Sequence, residues 1–313
     1  MQDDLTAVAG ICSVKGGFDM NVLEQDSGKM WQAYHGDCVE VSRGIPDNSV
    51  DFIVFSPPFE SLYTYSNSDR DMGNCRNSME FARHFRFLAK ELYRILIPGR
   101  CMSVHCMDLP LSKQRDGVIG LRDFSGCLVR IFERAGFVMH TPRVTIRKDP
   151  VTAMQRTKAI GLLWKQVKKD SCMSRMGIPD YLLTFRKPGD NPKPVHHTEE
   201  QFPVKQWQQW AECVWHDINP SNTLQRTSAR DSDDERHIAP LQLEVIERAI
   251  TMWTNPGDIV FTPFMGIGSE CYQAVKMGRK GVGIELKDSY YRQAVKNLKR
   301  AESEHGIESE SLF

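Results

Sequence analysis

None of the nine cysteines, at positions 12, 38, 75, 101, 106, 127, 172, 213 and 271, forms a C-x-x-C pair. An odd count without paired spacing argues against a disulfide framework. It points to reduced, mostly buried thiols in a cytoplasmic setting. The same spacing offers no structural zinc site, and His196-His197 stands near no matching cysteine pair, so no metal is expected. No apolar run approaches the ~20 residues needed to span a bilayer. Asp3 and Asp4 are followed by no apolar signal region, so neither membrane insertion nor a signal peptide is expected. Net charge is lacking as well: 40 Lys and Arg balance 40 Asp and Glu. The chain as a whole therefore carries no polyanion signature. Internal repeats and low-complexity blocks are also missing.

What is present is ordinary globular composition, 41% hydrophobic and 26% charged over 313 residues. That length accommodates one large α/β domain with an inserted module, or two domains. Residues 1–29 show weak periodicity and read as a loose arm. From Met30 the pattern sharpens into a short strand to His35, a turn at Gly36-Asp37, a short helix and the apolar strand Val50 to Phe55. Residues 59–78 read as a long loop. Phe81, Phe85, Leu88, Leu92 and Ile95 share one face of a helix over 79–96, with Asn77 and Glu80 resembling a capping box. "RCMSVHCM" reads as a strand and "FSGCLVRIFERAGF" as a second amphipathic helix. "VMHTPRVTIRK" looks extended. Strand and helix alternate, which predicts parallel βαβ units. Residues 188–200 carry three prolines and read as a linker. "PLQLEVIERAITMW" reads as a helix opened by Pro240. The final helix, from about Ser289, is expected to end in an acidic tail over 301–313.

Two short stretches carry chemistry. In "FTPFMGIGSE", a strand runs into Gly266-x-Gly268 and opens a helix, so the backbone can approach a ligand at a sheet edge. Cys271 occupies the third glycine position of the dinucleotide fingerprint, which argues against NAD or FAD. Seventeen residues past Gly268, the strand "GVGIEL" ends on Glu285, where a carboxylate can accept both hydroxyls of a ribose. The blander reading is a tight turn followed by a solvated glutamate. The second stretch is "SPPF", Ser56 to Phe59. Ser56 precedes proline and is held extended. Pro57 and Pro58 have fixed φ and no N–H, so the segment presents carbonyl acceptors with few internal partners. Such acceptors suit an exocyclic amino group, and Phe59 offers a flat apolar face for a stacked ring. Alone, this would more often be a proline-terminated core strand.

Together the two stretches resemble the amino-methylating DNA methyltransferases that use S-adenosylmethionine. "SPPF" resembles their [DNS]-P-P-[YFW] catalytic signature. "TPFMGIGSE" resembles their D-P-F-x-G-x-G cofactor loop, with Thr262 where aspartate is frequent. The catalytic motif precedes the cofactor motif, an order that resembles the permuted β class and covers most of 30–300. The resemblance implies a Rossmann-like α/β fold with a mostly parallel sheet and helices on both faces, plus an inserted basic target-recognition region. It implies a catalytic half over 30–142, a target-recognition region over 143–218 and a cofactor half over 219–300. Ser56, Pro57, Pro58 and Phe59 would hold a flipped base. Thr262, Pro263, Phe264, Gly266, Gly268 and Glu285 would hold S-adenosylmethionine. "ERHIAPLQL", with His237 and Pro240, resembles the segment at the methionine moiety, and Asp37 of "HGDCVE" the acidic residue near the adenine. In this family a serine at the first motif position leans toward N4 of cytosine and aspartate toward N6 of adenine. N4-cytosine methylation is therefore the favoured expectation and N6-adenine the alternative.

Residues 143–187 hold eleven Lys and Arg against three Asp. A solvated face is the usual meaning of a charge run. This one is one-signed, includes Trp164 and lies between the two motifs. Arg147, Lys148, Arg156, Lys158, Lys165, Lys168, Lys169 and Arg175 are the candidates for tracking the phosphates of double-stranded DNA. The resemblance is also compatible with a homodimer, and with a cognate restriction endonuclease or a phage or mobile-element setting. An RNA or protein amide methyltransferase would usually place the cofactor loop first. A non-catalytic DNA-binding module would not need both motifs intact.

Overall fold

The computed structural model describes residues 22–60, 70–149, 164–174, 176–225 and 240–310. Its strands are β1 (Val22–Ser27), β2 (Trp31–Gly36), β3 (Phe52–Phe55), β4 (Cys101–Cys106), β5 (Leu109–Leu111) and β6 (Gly120–Arg122). They continue as β7 (Val138–Met139), β8 (Val144–Ile146), β9 (Asp180–Arg186), β10 (Val214–Trp215), β11 (Ile259–Thr262) and β12 (Lys280–Glu285). Ten of these form one sheet in the order β1-β2-β12-β11-β3-β4-β9-β8-β10, with β7 on β9, while β5 and β6 make a separate hairpin. The central five, β2, β12, β11, β3 and β4, are mutually parallel.

Burial explains the pattern. Every residue of β3 and β4 is buried, as strands covered on both faces require. The helices Ser78–Ile95 and Phe124–Ala135 cover one face with Phe81, Phe85, Leu92, Leu128 and Phe132. The helices Leu243–Trp253, Ser269–Lys276 and Asp288–Glu310 pack in the two other core clusters. Each such side chain, fully buried, contributes about 1.5–3 kcal/mol. Asn77 caps the first of these helices, accepting from the Met79 and Glu80 amides at 3.0 Å. Glu80 reaches back to the Arg76 amide at 2.7 Å, one residue before the partner a capping box would use. The fold is thus the Rossmann-like α/β arrangement that the motif resemblance implied.

Several element readings change. The expected arm contributes β1, an edge strand antiparallel to β2. The expected tail is helical to Glu310, and Glu302 accepts from the Met30 amide at 2.8 Å. The helix attributed to Pro240 begins at Leu243. The proline-rich 188–200 segment is pinned to the domain: Asn255 donates to the Pro194 carbonyl, and Lys193 pairs with Asp258. Residues 143–218 supply β8, β9 and β10 to the main sheet, so that stretch is partly sheet core. Among the described residues no helix is long and apolar enough to cross a membrane.

Candidate active site

The parallel strands β11, β12 and β3 all end on one edge. Between β11 and β3 the chain order reverses: β12 follows β11 on one side and β4 follows β3 on the other. Crevices at such reversals are the usual ligand sites of open α/β sheets. Here a cleft opens at that edge. Ser56, Pro57, Pro58 and Phe59 form one wall, and Pro263, Phe264, Gly266 and Glu285 another, with Asp37 and Pro240 also on its lining. Segments some two hundred residues apart in sequence therefore meet. Phe264 joins them, its ring 5.7 Å from Phe55 and 6.2 Å from Phe85.

Each wall has a local cause. β3 ends because Pro57 and Pro58 can donate no ladder hydrogen bond. Ser56 is half-buried, its Oγ 3.3 Å from both His105 Nδ1 and the His105 carbonyl oxygen. Phe59 packs edge-on to Phe124 at 6.2 Å. Glu60, next in the chain, is buried and has φ of +49°, a conformation that costs a non-glycine residue about 1 kcal/mol. Arg122 of the β5–β6 hairpin and Ser78 hold its carboxylate at 2.8 and 2.9 Å. That clamp fixes where the backbone leaves Phe59.

On the other wall, Glu285 accepts from the Gly266 amide (2.7 Å) through one oxygen and from the Lys287 amide (2.9 Å) through the other. The Leu286 amide also bears on this carboxylate, which still has acceptor capacity to spare. Burial pushes this carboxyl up to about 7, against the pull of those amides. Gly266 has φ of +55°, and a β carbon built on it meets no atom within 4 Å, so its bareness serves the cleft and not packing. Gly268 differs: its β carbon would lie 3.3 Å from Ala294, and it does not line the cleft. Its glycine lets the helix Asp288–Glu310 approach. Thr262 is fully buried and likewise absent from the lining; its hydroxyl has no hydrogen-bond partner among the described residues. Asp37 caps the helix Cys38–Arg43, accepting from the Val39 and Glu40 amides at 2.9 Å.

Glu270 also lines the cleft, in the first turn of the helix Ser269–Lys276; it closes the stretch "FTPFMGIGSE", where the sequence assigns it no role. Burial pushes its carboxyl up to about 8. The folded state thus holds this proton more tightly than the unfolded chain, whose glutamate titrates near 4.3. The associated stability is complete below about pH 4 and is lost as pH rises through about 8. Glu270→Gln escapes that loss. Its melting temperature is expected to match the parent's near pH 5 and to exceed it by several degrees at pH 8, a gap of roughly 3–5 kcal/mol. Thermal unfolding across that range checks this.

The basic candidates divide. Arg147, Lys165, Lys168 and Lys169 are exposed. Lys148 is not a free surface cation: it pairs with the buried Asp180, and only 15% of its side chain is exposed. Lys187, counted in the same run, is buried against the Leu96 carbonyl at 2.7 Å. His237, Arg156, Lys158 and Arg175 lie outside the described residues.

The fold and cleft define an α/β methyltransferase-like domain whose ligand edge joins a proline corner to a glycine turn. Residues 50–296 match the family model for N6/N4 methyltransferases, described as DNA methylase; the chain belongs to that family. It is 24% identical over 267 residues to the type II methyltransferase M.BamHI of Bacillus amyloliquefaciens. That match covers 83% of this chain but only 55% of the relative. The fold is shared with TTHA0409 from Thermus thermophilus, solved in complex with S-adenosyl-L-methionine (TM-score 0.62, 22% identity, covering 86% of this chain and 94% of that one). It is also shared with the cytosine-N4-specific PvuII DNA methyltransferase (TM-score 0.62, 16% identity, 91% and 95% covered).

Proposed function

We propose that this chain transfers a methyl group from S-adenosylmethionine to the exocyclic amino group of an everted base in double-stranded DNA, with N4 of cytosine as the target. The observation that carries the reading is the cleft in which the Ser56–Phe59 corner faces Gly266 and Glu285. Membership of the DNA methylase family supports it.

The residues fit the cofactor. Gly266 leaves room beside its backbone, and Glu285 offers carboxylate acceptors for ribose hydroxyls. When bound, S-adenosylmethionine supplies a methyl group already activated by its sulfonium. What remains for the chain is positioning. The amino group of cytosine has its lone pair drawn into the ring. Hydrogen bonds from that group to Ser56 Oγ and the Pro57 carbonyl favour a pyramidal nitrogen and fix the line of attack. Everting the base costs a few kcal/mol, and stacking on Phe59 offsets part of that. The exposed Arg147, Lys165, Lys168 and Lys169 are suited to phosphate contact. In this reading the protein works in the cytoplasm, alone or as a homodimer, beside a cognate restriction endonuclease or in a phage or mobile-element setting.

The test is to incubate the protein with DNA and S-adenosylmethionine, digest to nucleosides and identify the product by mass spectrometry. N4-methylcytosine is the expected product. N6-methyladenine would overturn the choice of base. Unmodified DNA alongside methylated RNA or protein would overturn the substrate class.

A further inference from the structure

Behind Ser56 a polar line runs into the sheet. Ser56 Oγ has two acceptors in reach for its proton, the Nδ1 and the carbonyl oxygen of His105, each at 3.3 Å. On the far side of the ring, Nε2 lies 3.2 Å from Asp180 Oδ2. That contact is close but not aligned as a hydrogen bond, as is common in catalytic sites without substrate. Asp180 Oδ1 is held by Lys148. His105 and Asp180 are almost wholly buried, at 7% and 3% exposure. Strand order creates the line. Ser56 follows the end of β3, β4 beside it carries His105, and β9, antiparallel to β4, begins at Asp180.

A buried imidazole against a carboxylate places its N–H there, leaving the other nitrogen as acceptor. With Nε2–H facing Asp180, Nδ1 accepts from Ser56. Either of the serine's two acceptors then draws its O–H away from the cleft, so its lone pairs face the substrate. The carbonyl could only orient the hydroxyl. The imidazole could also take a proton. We propose that His105 is a positioning residue for methyl transfer, oriented by Asp180 and Lys148, which aims the Ser56 hydroxyl and receives through it the proton that the methylated amino group must shed. This rests on Ser56 being the residue that meets the amino group.

The step balances. Forming the N–C bond breaks the donor's S–C bond, with the electron pair staying on sulfur, and leaves the amino nitrogen cationic. One N–H proton passes to Ser56 Oγ while the serine's own proton moves to His105 Nδ1. The imidazolium so formed faces the Asp180 carboxylate. Burial alone would raise Asp180, but its contacts with His105 and the Lys148 ammonium hold it below its ordinary range. Lys148 therefore keeps the carboxylate ionised for this role. The other titratable or charged groups near the line are Cys106 and Asp108 following His105, Tyr181 on β9, Arg143 ahead of β8, and Asp123 ahead of the helix Phe124–Ala135.

His105→Asn separates aiming from proton transfer, because its Oδ1 replaces Nδ1 as an acceptor but takes no proton. At saturating S-adenosylmethionine the parent's kcat is expected to fall toward acid pH. The asparagine variant is expected to run ~10²-fold slower with that acid limb gone. Its affinity for S-adenosylmethionine, read by calorimetry, should stay within twofold. An activity-free readout uses the imidazole ¹⁵N shifts of His105 in the protein without substrate. They should report Nε2–H in the parent and a tautomer mixture in Asp180→Asn, which also serves if the asparagine variant fails to fold. A kcat within twofold and an unchanged acid limb in His105→Asn, or a tautomer unaffected by Asp180→Asn, would overturn the proposal. If Ser56→Ala itself retains full activity, the reading of Ser56 fails first. If Ser56→Ala is slow and His105→Asn is not, the relay alone fails.

Discussion

Ser56→Ala is expected to slow methyl transfer by about 10²–10³-fold while leaving the binding of S-adenosylmethionine within twofold. The magnitude is that of removing one preorganised polar contact at a site of developing charge. The selectivity follows from position. Ser56 stands on the proline wall of the cleft, and the glycine turn with Glu285 is opposite. Its hydroxyl touches only His105 among the described residues, so alanine breaks no contact to the cofactor wall. A half-buried serine also leaves little void when truncated. Single-turnover transfer of labelled methyl groups, beside calorimetric titration of the cofactor, separates the two effects. Equal losses in rate and cofactor affinity would mean that the cleft had been disturbed as a whole. An unchanged rate would remove Ser56 from the chemistry.

The parts of this site visible in the sequence are those whose cause is local. Phe52–Phe55 followed by two prolines announces a buried strand with a hard stop, and the structure ends β3 there. Gly266 is legible because the turn that opens the helix takes a left-handed residue, which favours glycine, and the space over its β carbon is open. Gly268 shows the limit of that logic. It too is left-handed, with φ of +93°, but it also lies tight against Ala294, a contact twenty-six residues along that no spacing rule discloses. His105 lies within "MSVHCM" and looks like one more residue of an apolar strand. Its meaning comes from Asp180, seventy-five residues away, which the antiparallel pairing of β4 and β9 brings alongside. Lys148 misleads for the complementary reason: it sits in a predominantly basic run, but its neighbour in space is a buried carboxylate. The Glu60–Arg122 clamp bridges sixty-two residues and leaves no trace in composition. The edge strand β1 escapes a pattern reading because it has no buried face to impose alternation.

Glu285→Gln is the change that bears hardest on the cofactor. It is expected to weaken S-adenosylmethionine binding by about 10- to 100-fold. Hydrogen bonds to a charged acceptor contribute about 1.5–3 kcal/mol, and each 1.4 kcal/mol is tenfold in affinity. Both carboxylate oxygens already accept from backbone amides, so the amide nitrogen introduced at one position meets the Gly266 or Lys287 N–H head-on. Some loss of folding stability is therefore expected too, and thermal unfolding without ligand measures it separately. The pH dependence is the sharper signature. The free carboxyl titrates near 7 because burial disfavours its charge. The ionised form offers ribose hydroxyls the fuller and stronger set of acceptors, so binding favours loss of that proton. The parent's affinity should hold steady above about pH 8 and fall as pH drops below 7, approaching tenfold per unit. The glutamine variant should bind weakly with that acid-side fall removed. Glu270 remains in both proteins and titrates higher, near 8, so it cannot supply the difference below pH 7. Calorimetry at pH 6, 7 and 8 on both proteins decides the matter. Parent-like affinity with a parent-like acid-side fall in the variant would show that the end of β12 does not hold the ribose.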